Sequence, residues 1–332
     1  MKILFILKIN QTSGAQSTNT SKSGLTNASR FVVDTINGFP GIEAFISHVK
    51  DQNGIYKQLI EHKPNTVIIE AVFVTPGKLA ELIDKFPHIR FITRIHSRIP
   101  FIAMEGNVIQ WIKEYQAISE VSFNNHQTAN DMQRIGIENV YLPNIYPHVE
   151  HVNCTEIGRK HHYKIGCFGS IRPFKNQLSQ AWAAIMFAEK RKAIVHFYVN
   201  AAGIEQKGES VLKNIRALFA GTRHKLIEID WLEHHEFINL IKEMDACMQV
   251  SFTETFNLVT ADAILAHVPV VVSDQIDWLT CRKANPNDES DIADVLEHVI
   301  DNNVKQVEDN IQDLESYNHH AILKWFRFLN RH

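Results

Sequence analysis

Residues 245–274 read DACMQVSFTETFNLVTADAILAHVPVVVSD. Two short apolar, β-prone runs, 247–250 and 268–272, bracket a segment in which Phe256, Val259, Ala263 and Ala266 recur at helical spacing. The spacing predicts a strand, a turn, a helix over 256–266 and a second strand. Glu254 falls in the turn, and Asp262 lies on the helix eight residues on. A helix N-terminus behind a strand offers unpaired backbone N–H groups and the positive end of a dipole, which together suit a phosphate. The two carboxylates then suit hydroxyl groups. On the pattern alone they also fit a helix-initiating acid and a solvated helix residue of any α/β protein.

Outward from this stretch, the chain has the length for two domains, each able to bury its own core: it has 332 residues, of which 45% are hydrophobic, an ordinary share for a globular protein. A formal net charge of −3 argues against general electrostatic adhesion to nucleic acid or membrane and leaves local basic patches open. Cys154, Cys167, Cys247 and Cys281 are widely spaced, without a CxxC pair, and read as reduced core residues. In the opening MKILFILKIN, Lys8 interrupts the apolar run and no small-residue cleavage site follows, so it reads as a first strand. No apolar run approaches the roughly 18 residues that span a bilayer. The expected location is the cytoplasm.

Strands and helices alternate along the chain. The near-continuous apolar run 3–9 predicts a parallel strand covered on both faces. A Ser, Thr and Asn-rich stretch follows over 10–23, and Gly24 opens a helix. In an open α/β sheet such a loop lies at the carboxyl end of a strand, where ligands bind; a plain surface loop is the alternative. Strands over 42–49, 66–70 and 89–95 alternate with helices over 54–62 and 76–86, which predicts a parallel sheet with right-handed crossovers. Strand alternation puts Arg90, Ile92, Arg94 and His96 on one face with Arg98 just beyond. That places Arg94 and Arg98 as candidates for an anionic acceptor, or as ion-paired residues of the sheet edge. A second alternating series starts at Tyr163, after a polar linker over 148–162. The chain's 18 histidines include adjacent pairs, but neighbours on a helix do not share a face, so no metal site is expected.

The 245–274 stretch resembles the donor-site signature of the GT-B glycosyltransferases, the Glu-x7-Glu motif of the large, mostly retaining family that uses sugar nucleotides. Here it stands as Glu254-x7-Asp262. Glycines common around the first acid of that pattern are replaced by Thr255 and Asn257, and the glycine before its final Val-Pro is His267. Residues 166–177, GCFGSIRPFKNQ, resemble the same family's glycine-lysine loop in Gly169 and Lys175. Ser170 takes the place of the usual Arg, with Arg172 displaced by two, and Asn176 takes the place of the second Gly. Leu142-Pro143-Asn144 resembles the family's interdomain junction, and residues 226–233 resemble the strand and turn that hold the nucleotide base.

The resemblance implies an α/β protein of GT-B fold, two Rossmann-like domains facing each other across a cleft. Residues 1–150 form the acceptor-side domain and 151–308 the nucleotide-sugar domain, with a final helix over 309–332 packing back toward the first. It implies a glycosyltransferase that uses a nucleotide sugar as substrate, retains configuration, and needs no tightly bound cofactor or metal. Arg172 and Lys175 would stabilise the leaving diphosphate, Glu254 would bind sugar hydroxyls, and His96 would either face the reaction centre or serve as a structural histidine. Gly24, Gly169, Ser170, Phe256, Asn257 and Leu258 fall to the donor side, and Asp262 to the ribose. Trp231 and Leu232 fall to the base, although a core aromatic reads equally well at Trp231. The arginines at the end of the 89–95 strand point instead to an anionic acceptor of unassigned identity: a phosphorylated or acidic glycan precursor, a lipid-linked phosphate, or nucleic acid such as a hydroxymethylated DNA base. Two other functions share the pattern: a sugar-nucleotide epimerase, and a binding protein without turnover.

Overall fold

Residues 3–7 are all apolar and all buried, as a strand with helices on both faces requires. The computed structural model describes residues 1–9, 24–152 and 154–330; the polar stretch 10–23, expected to be a ligand loop, lies outside them. The chain divides into two compact units, 1–147 with 318–332, and 148–317.

In the first unit the elements are β1 (Lys2–Lys8), α1 (Gly24–Ile36), β2 (Glu43–Val49), α2 (Ile55–His62), β3 (Thr66–Glu70) and α3 (Pro76–Lys85). They continue with β4 (Arg90–Ile95), α4 (Ile99–Ile102), α5 (Val108–Ile118), β5 (Glu120–Phe123), α6 (His126–Arg134) and β6 (Val140–Tyr141). The second unit carries β7 (His162–Gly166), α7 (Gln177–Lys190), β8 (Ile194–Asn200), α8 (Gly208–Phe219), β9 (Lys225–Ile229) and α9 (His234–Ile241). Then come β10 (Ala246–Gln249), α10 (Leu258–Leu265), β11 (Val270–Val272) and α11 (Glu289–Asp301). The last helix, α12 (Asn303–Leu329), begins in the second unit and ends in the first.

Each unit is one all-parallel sheet, ordered β2-β1-β3-β4-β5-β6 and β11-β10-β7-β8-β9. In both, the order reverses beside the first strand: β1 lies between β2 and β3, and β7 lies between β10 and β8. Ligands of open α/β sheets bind outside the carboxyl ends of the strands at such a reversal. The loops after β7 and β10 therefore frame the crevice at the reversal of the second sheet, where a ligand is expected.

The first sheet is tied together by one residue that sequence reasoning offered either to an anionic acceptor or to an ion pair of the sheet, and the ion pair is what the structure shows. Arg94 is fully enclosed. Its guanidinium donates to both oxygens of Glu70 (3.0 and 3.2 Å), to Asn144 Oδ1 (2.6 Å) and to the Leu142 carbonyl (3.0 Å). It also lies 5.4 Å from the ring of Trp325, whose indole N–H donates to the Pro143 carbonyl at 2.8 Å. Arg94 thus binds the end of β3, the Leu142–Asn144 turn and the end of α12, and cannot reach an acceptor. Arg90, on the same strand face, pairs with Glu120 at 2.7 Å and lies 4.4 Å from the Phe328 ring. The expected concentration of positive charge along β4 is neutralised within the fold.

Candidate active site

The loop after β7 turns at Gly169, where φ is +102° and a side chain would be strained. Its N–H donates to Asn200 Oδ1 at 2.8 Å, at the end of β8. A β-carbon at Gly169 would lie 3.8 Å from Val259 Cγ2, so this bare backbone faces the first turn of α10. Two more bonds, Ile171 N to Gly203 O (2.6 Å) and Glu205 N to Ile171 O (3.0 Å), pair the loop with the one after β8. The contact is so close that only glycine fits at position 208, where a β-carbon would meet the Ile171 oxygen at 1.9 Å.

Lys175 ends a 3₁₀ turn over Pro173–Lys175, and two buried amides fasten that turn to the exit of β10. Asn176 donates to the carbonyls of Val250 (3.2 Å) and Pro286 (2.8 Å). Gln180 donates to the Lys175 carbonyl (2.7 Å) while its Oε1 accepts from Val250 N (2.9 Å). These bonds bring Lys175 Nζ to 2.5 Å from Glu254 Oε1, with side chains only 11% and 8% exposed. A cation so sheltered needs its counter-ion; a diphosphate in the same place can share it.

The helix expected from residue 256 starts at Leu258, because Asn257 adopts φ +61° and caps it, Oδ1 accepting from Thr260 N at 2.9 Å. The same amide donates to Gln249 Oε1 (3.0 Å), and Gln249 donates to the Phe168 carbonyl (3.0 Å). This chain of amides sets the α10 N-terminus against the β7 loop. The first N–H groups of α10, at Leu258 and Val259, have no acceptor within the helix. Phe256 is buried, 5.1 Å from Trp278 and 4.9 Å from Tyr317, and its carbonyl accepts from the Trp278 indole at 2.8 Å. Phe256 therefore anchors the loop from beneath.

Ser170 donates to Glu205 Oε1 (3.0 Å) and Arg172 to Glu205 Oε2 (3.3 Å), on the rim of the crevice. Trp231 and Leu232 are half-buried in the turn after β9. The indole of Trp231 packs against Gly203, where a β-carbon would sit 2.4 Å from Cζ3. Asp262, buried on α10, accepts from His234 Nε2 at 2.8 Å. The structure thus gathers Gly169, Ser170, Arg172, Lys175, Trp231, Leu232, Glu254, Asn257, Leu258 and Asp262 on loops and helix starts at the carboxyl edge of one sheet. Gly24 is the exposed first residue of α1 in the other unit.

His96 follows β4 and has both ring nitrogens engaged. Nε2 pairs with Glu70 Oε2, and Nδ1 accepts from the Asn124 amide at 3.1 Å. Burial pushes its pKa down, Arg94 adds to that, and Glu70 opposes without prevailing, so the ring is held neutral. Burial alone would raise the Glu70 carboxyl; Arg94 and His96 outweigh it and hold it below the ordinary range. The arrangement suits the structural alternative for His96 rather than a free acid or base. Sequence reasoning missed Glu70, whose signal was a carboxylate closing an apolar parallel strand. It also missed Glu205, which has no sequence signal, and the role of His234, which it weighed only as one of a histidine pair. Burial raises the thiols of Cys167, to about 12, and of Cys247, which makes both poor nucleophiles.

Among the described residues no group of three or more His, Cys, Asp or Glu side chains is placed to hold a metal ion, and no helix is long and apolar enough to cross a membrane.

Two parallel-sheet, Rossmann-like units of this kind define the GT-B fold of glycosyltransferases. No family model and no curated protein matches the chain. Solved structures do. An OtsA apo structure covers 100% of this chain and 99% of its own at a TM-score of 0.69 and 9% identity. An alpha,alpha-trehalose 6-phosphate synthase from Burkholderia multivorans is similar at a TM-score of 0.61 and 12% identity, over 83% of this chain and 72% of its own. A variant of S. aureus TarM in complex with fondaparinux, alpha-GlcNAc-glycerol and UDP gives a TM-score of 0.60 at 15% identity, over 80% of this chain. The chain spans only 55% of that TarM.

Proposed function

We propose that the chain is a glycosyltransferase that moves a sugar from a nucleotide-sugar donor with retention of configuration. The observation that carries the proposal is the convergence of Gly169, Lys175, Glu254 and the α10 N-terminus at the strand-order reversal of the second sheet. Departure of a nucleoside diphosphate builds negative charge on the leaving oxygens. Lys175, Arg172 and the first N–H groups of α10 supply preorganised positive charge and donors against it. Gly169, lacking a side chain, lets backbone approach the phosphates. Glu254, its charge balanced by Lys175, accepts from hydroxyls of the donor sugar. Asp262 accepts from the ribose, while Trp231 and Leu232 border the base. No protein nucleophile is assigned.

On the acceptor side Arg94 is excluded by its burial, and Arg98, half-buried ahead of α4, is the remaining candidate for an anionic acceptor. Its test is Arg98→Glu, which should depress transfer while slow hydrolysis of the donor continues; equal effects on both reactions would remove Arg98 from the acceptor site.

The donor assignment is tested by thermal shift with a panel of nucleotide sugars, UDP-glucose and UDP-GlcNAc first because UDP and UDP-2-fluoro glucose accompany two structures of this fold. A ligand that binds only the folded state raises the melting temperature. Mass and anomer analysis of the products with the responding donor then separates transfer from epimerisation. A flat response to the whole panel would overturn the reading.

A further inference from the structure

Asp262 holds the place of the second acid of the Glu-x7-Glu motif with a side chain one methylene shorter, and an imidazole stands against it. His234 Nε2 lies 2.8 Å from Asp262 Oδ1. A carboxylate at this position only accepts, so the ring N–H donates. The two side chains are 19% and 7% exposed, so the pair is shielded from solvent.

The placement of the pair matters more than its length. His234 is the first residue of α9, directly behind the turn that carries Trp231 and Leu232. That helix start carries a reciprocal cap, in which Glu233 N–H donates to Glu236 Oε2 at 3.0 Å. Asp262 lies on α10, whose first turn faces Gly169. In a nucleotide the ribose is what joins base to phosphate. The His234–Asp262 bond joins the two loops that the proposed function assigns to base and phosphate.

We propose that His234 is a specificity-determining residue for the ribose of the donor. By donating to Oδ1 it fixes the orientation of the shortened carboxylate, which can accept from more than one donor at once. A ribose offers it two adjacent hydroxyl donors and a 2′-deoxyribose only one, so a carboxylate held still reads the 2′-hydroxyl. A carboxylate that lacks this bond turns more readily toward whichever hydroxyl remains. The inference rests on the nucleotide-sugar reading of the site.

The test is isothermal titration of UDP, GDP and ADP, each beside its 2′-deoxy form, into wild type, His234→Ala and His234→Gln. In wild type the bound nucleotide should exceed its deoxy form by roughly ten-fold in affinity, the worth of one hydrogen bond to a charged group. His234→Ala should reduce that ratio to about two-fold or less with the deoxy affinity little changed, and His234→Gln, whose amide nitrogen reaches the place of Nε2, should restore most of it. Three results would overturn the proposal: no ribose preference in wild type, a full preference kept by His234→Ala, or an equal loss for both forms. Because the readout is a ratio within each variant, a merely structural role of His234 does not reproduce it. If wild type bound none of the six nucleotides, the nucleotide-sugar reading itself would fall.

Discussion

Asn176, Asn257 and His267 stand where the glycosyltransferase pattern sets glycine, and all three keep a left-handed backbone, at φ +56°, +61° and +58°. The left-handed conformation is adopted here without the residue that takes it up freely, at a cost of about 1–2 kcal/mol for a side chain with a β-carbon. Asparagine offsets this with side-chain hydrogen bonds, and histidine does so less well. His267→Gly should therefore raise stability by up to about 1 kcal/mol in chemical denaturation, since the bond it gives up, to the Glu150 carbonyl at 2.7 Å, is exposed. Asn257→Gly should lower stability by about 1 kcal/mol or more, because the cap of α10 and the buried bond to Gln249 go with it. The same sign for both would contradict this explanation of the substitutions. Arg94 is the harsher case. Arg94→Leu should cost about 3–5 kcal/mol by leaving Glu70 buried without its cation. Pairing it with Glu70→Gln should recover part of that, and no recovery would show that the ion pair is not what Arg94 contributes. At this scale the sequence carried the motif positions but not their partners. Strand alternation placed Arg94 on a face, and nothing local told that Glu70, on the neighbouring strand, would claim it.

Among the elements, the strands were legible because apolar runs such as 3–7 and 67–69 have no other use than a doubly covered sheet. One helix start was legible too: the helix expected from residue 76 is α3, which begins at Pro76 with Thr75 as its cap. The order of strands was not legible, since the reversal at β7 depends on pairing with β10 some eighty residues later. Along α12 Ile311, Leu314, Trp325 and Phe328 are buried, while Phe326 is exposed and packs edge-on against Phe39. The ends of β3 and β4 give a pH prediction. Unfolded, His96 takes up a proton near its ordinary 6.5; folded, it does so only at lower pH. Between the two the unfolded chain binds more protons, so stability falls as the pH drops below 6.5. Glu70 adds a loss of the same sign once the pH falls below its ordinary 4.5. His48 and His196, whose pKa values are also lowered by burial, share the slope. Thermal melts at pH 7 and pH 5 should therefore show a smaller drop for His96→Gln than for wild type; equal drops would mean that His96 is protonated alike in the folded and unfolded chain.

For the molecule as a whole, the chain passes between its two units twice, at 147–148 and at 317–318. Each passage is anchored within its own unit. Asn318 holds the backbone of Tyr146 at both N–H and carbonyl (3.0 Å each), and Tyr317 packs on Phe256 and Trp278. The carboxyl edge of the second sheet is where the proposed chemistry is concentrated, and Lys175 is the cation there that pairs with the first acid of the motif. Lys175 is fastened to the exit of β10 through Asn176 and Gln180, pairs with Glu254, and is assigned the leaving diphosphate. The most direct test is kcat/KM for the responding nucleotide sugar in wild type and Lys175→Ala, with a cooperative melt showing that the variant is folded. A fall of about 10²–10³-fold is the predicted result, the size expected for loss of a preorganised charge at the leaving group. An unchanged kcat/KM in a folded Lys175→Ala protein would contradict the assignment of the diphosphate, and with it the donor site, to this edge of the sheet.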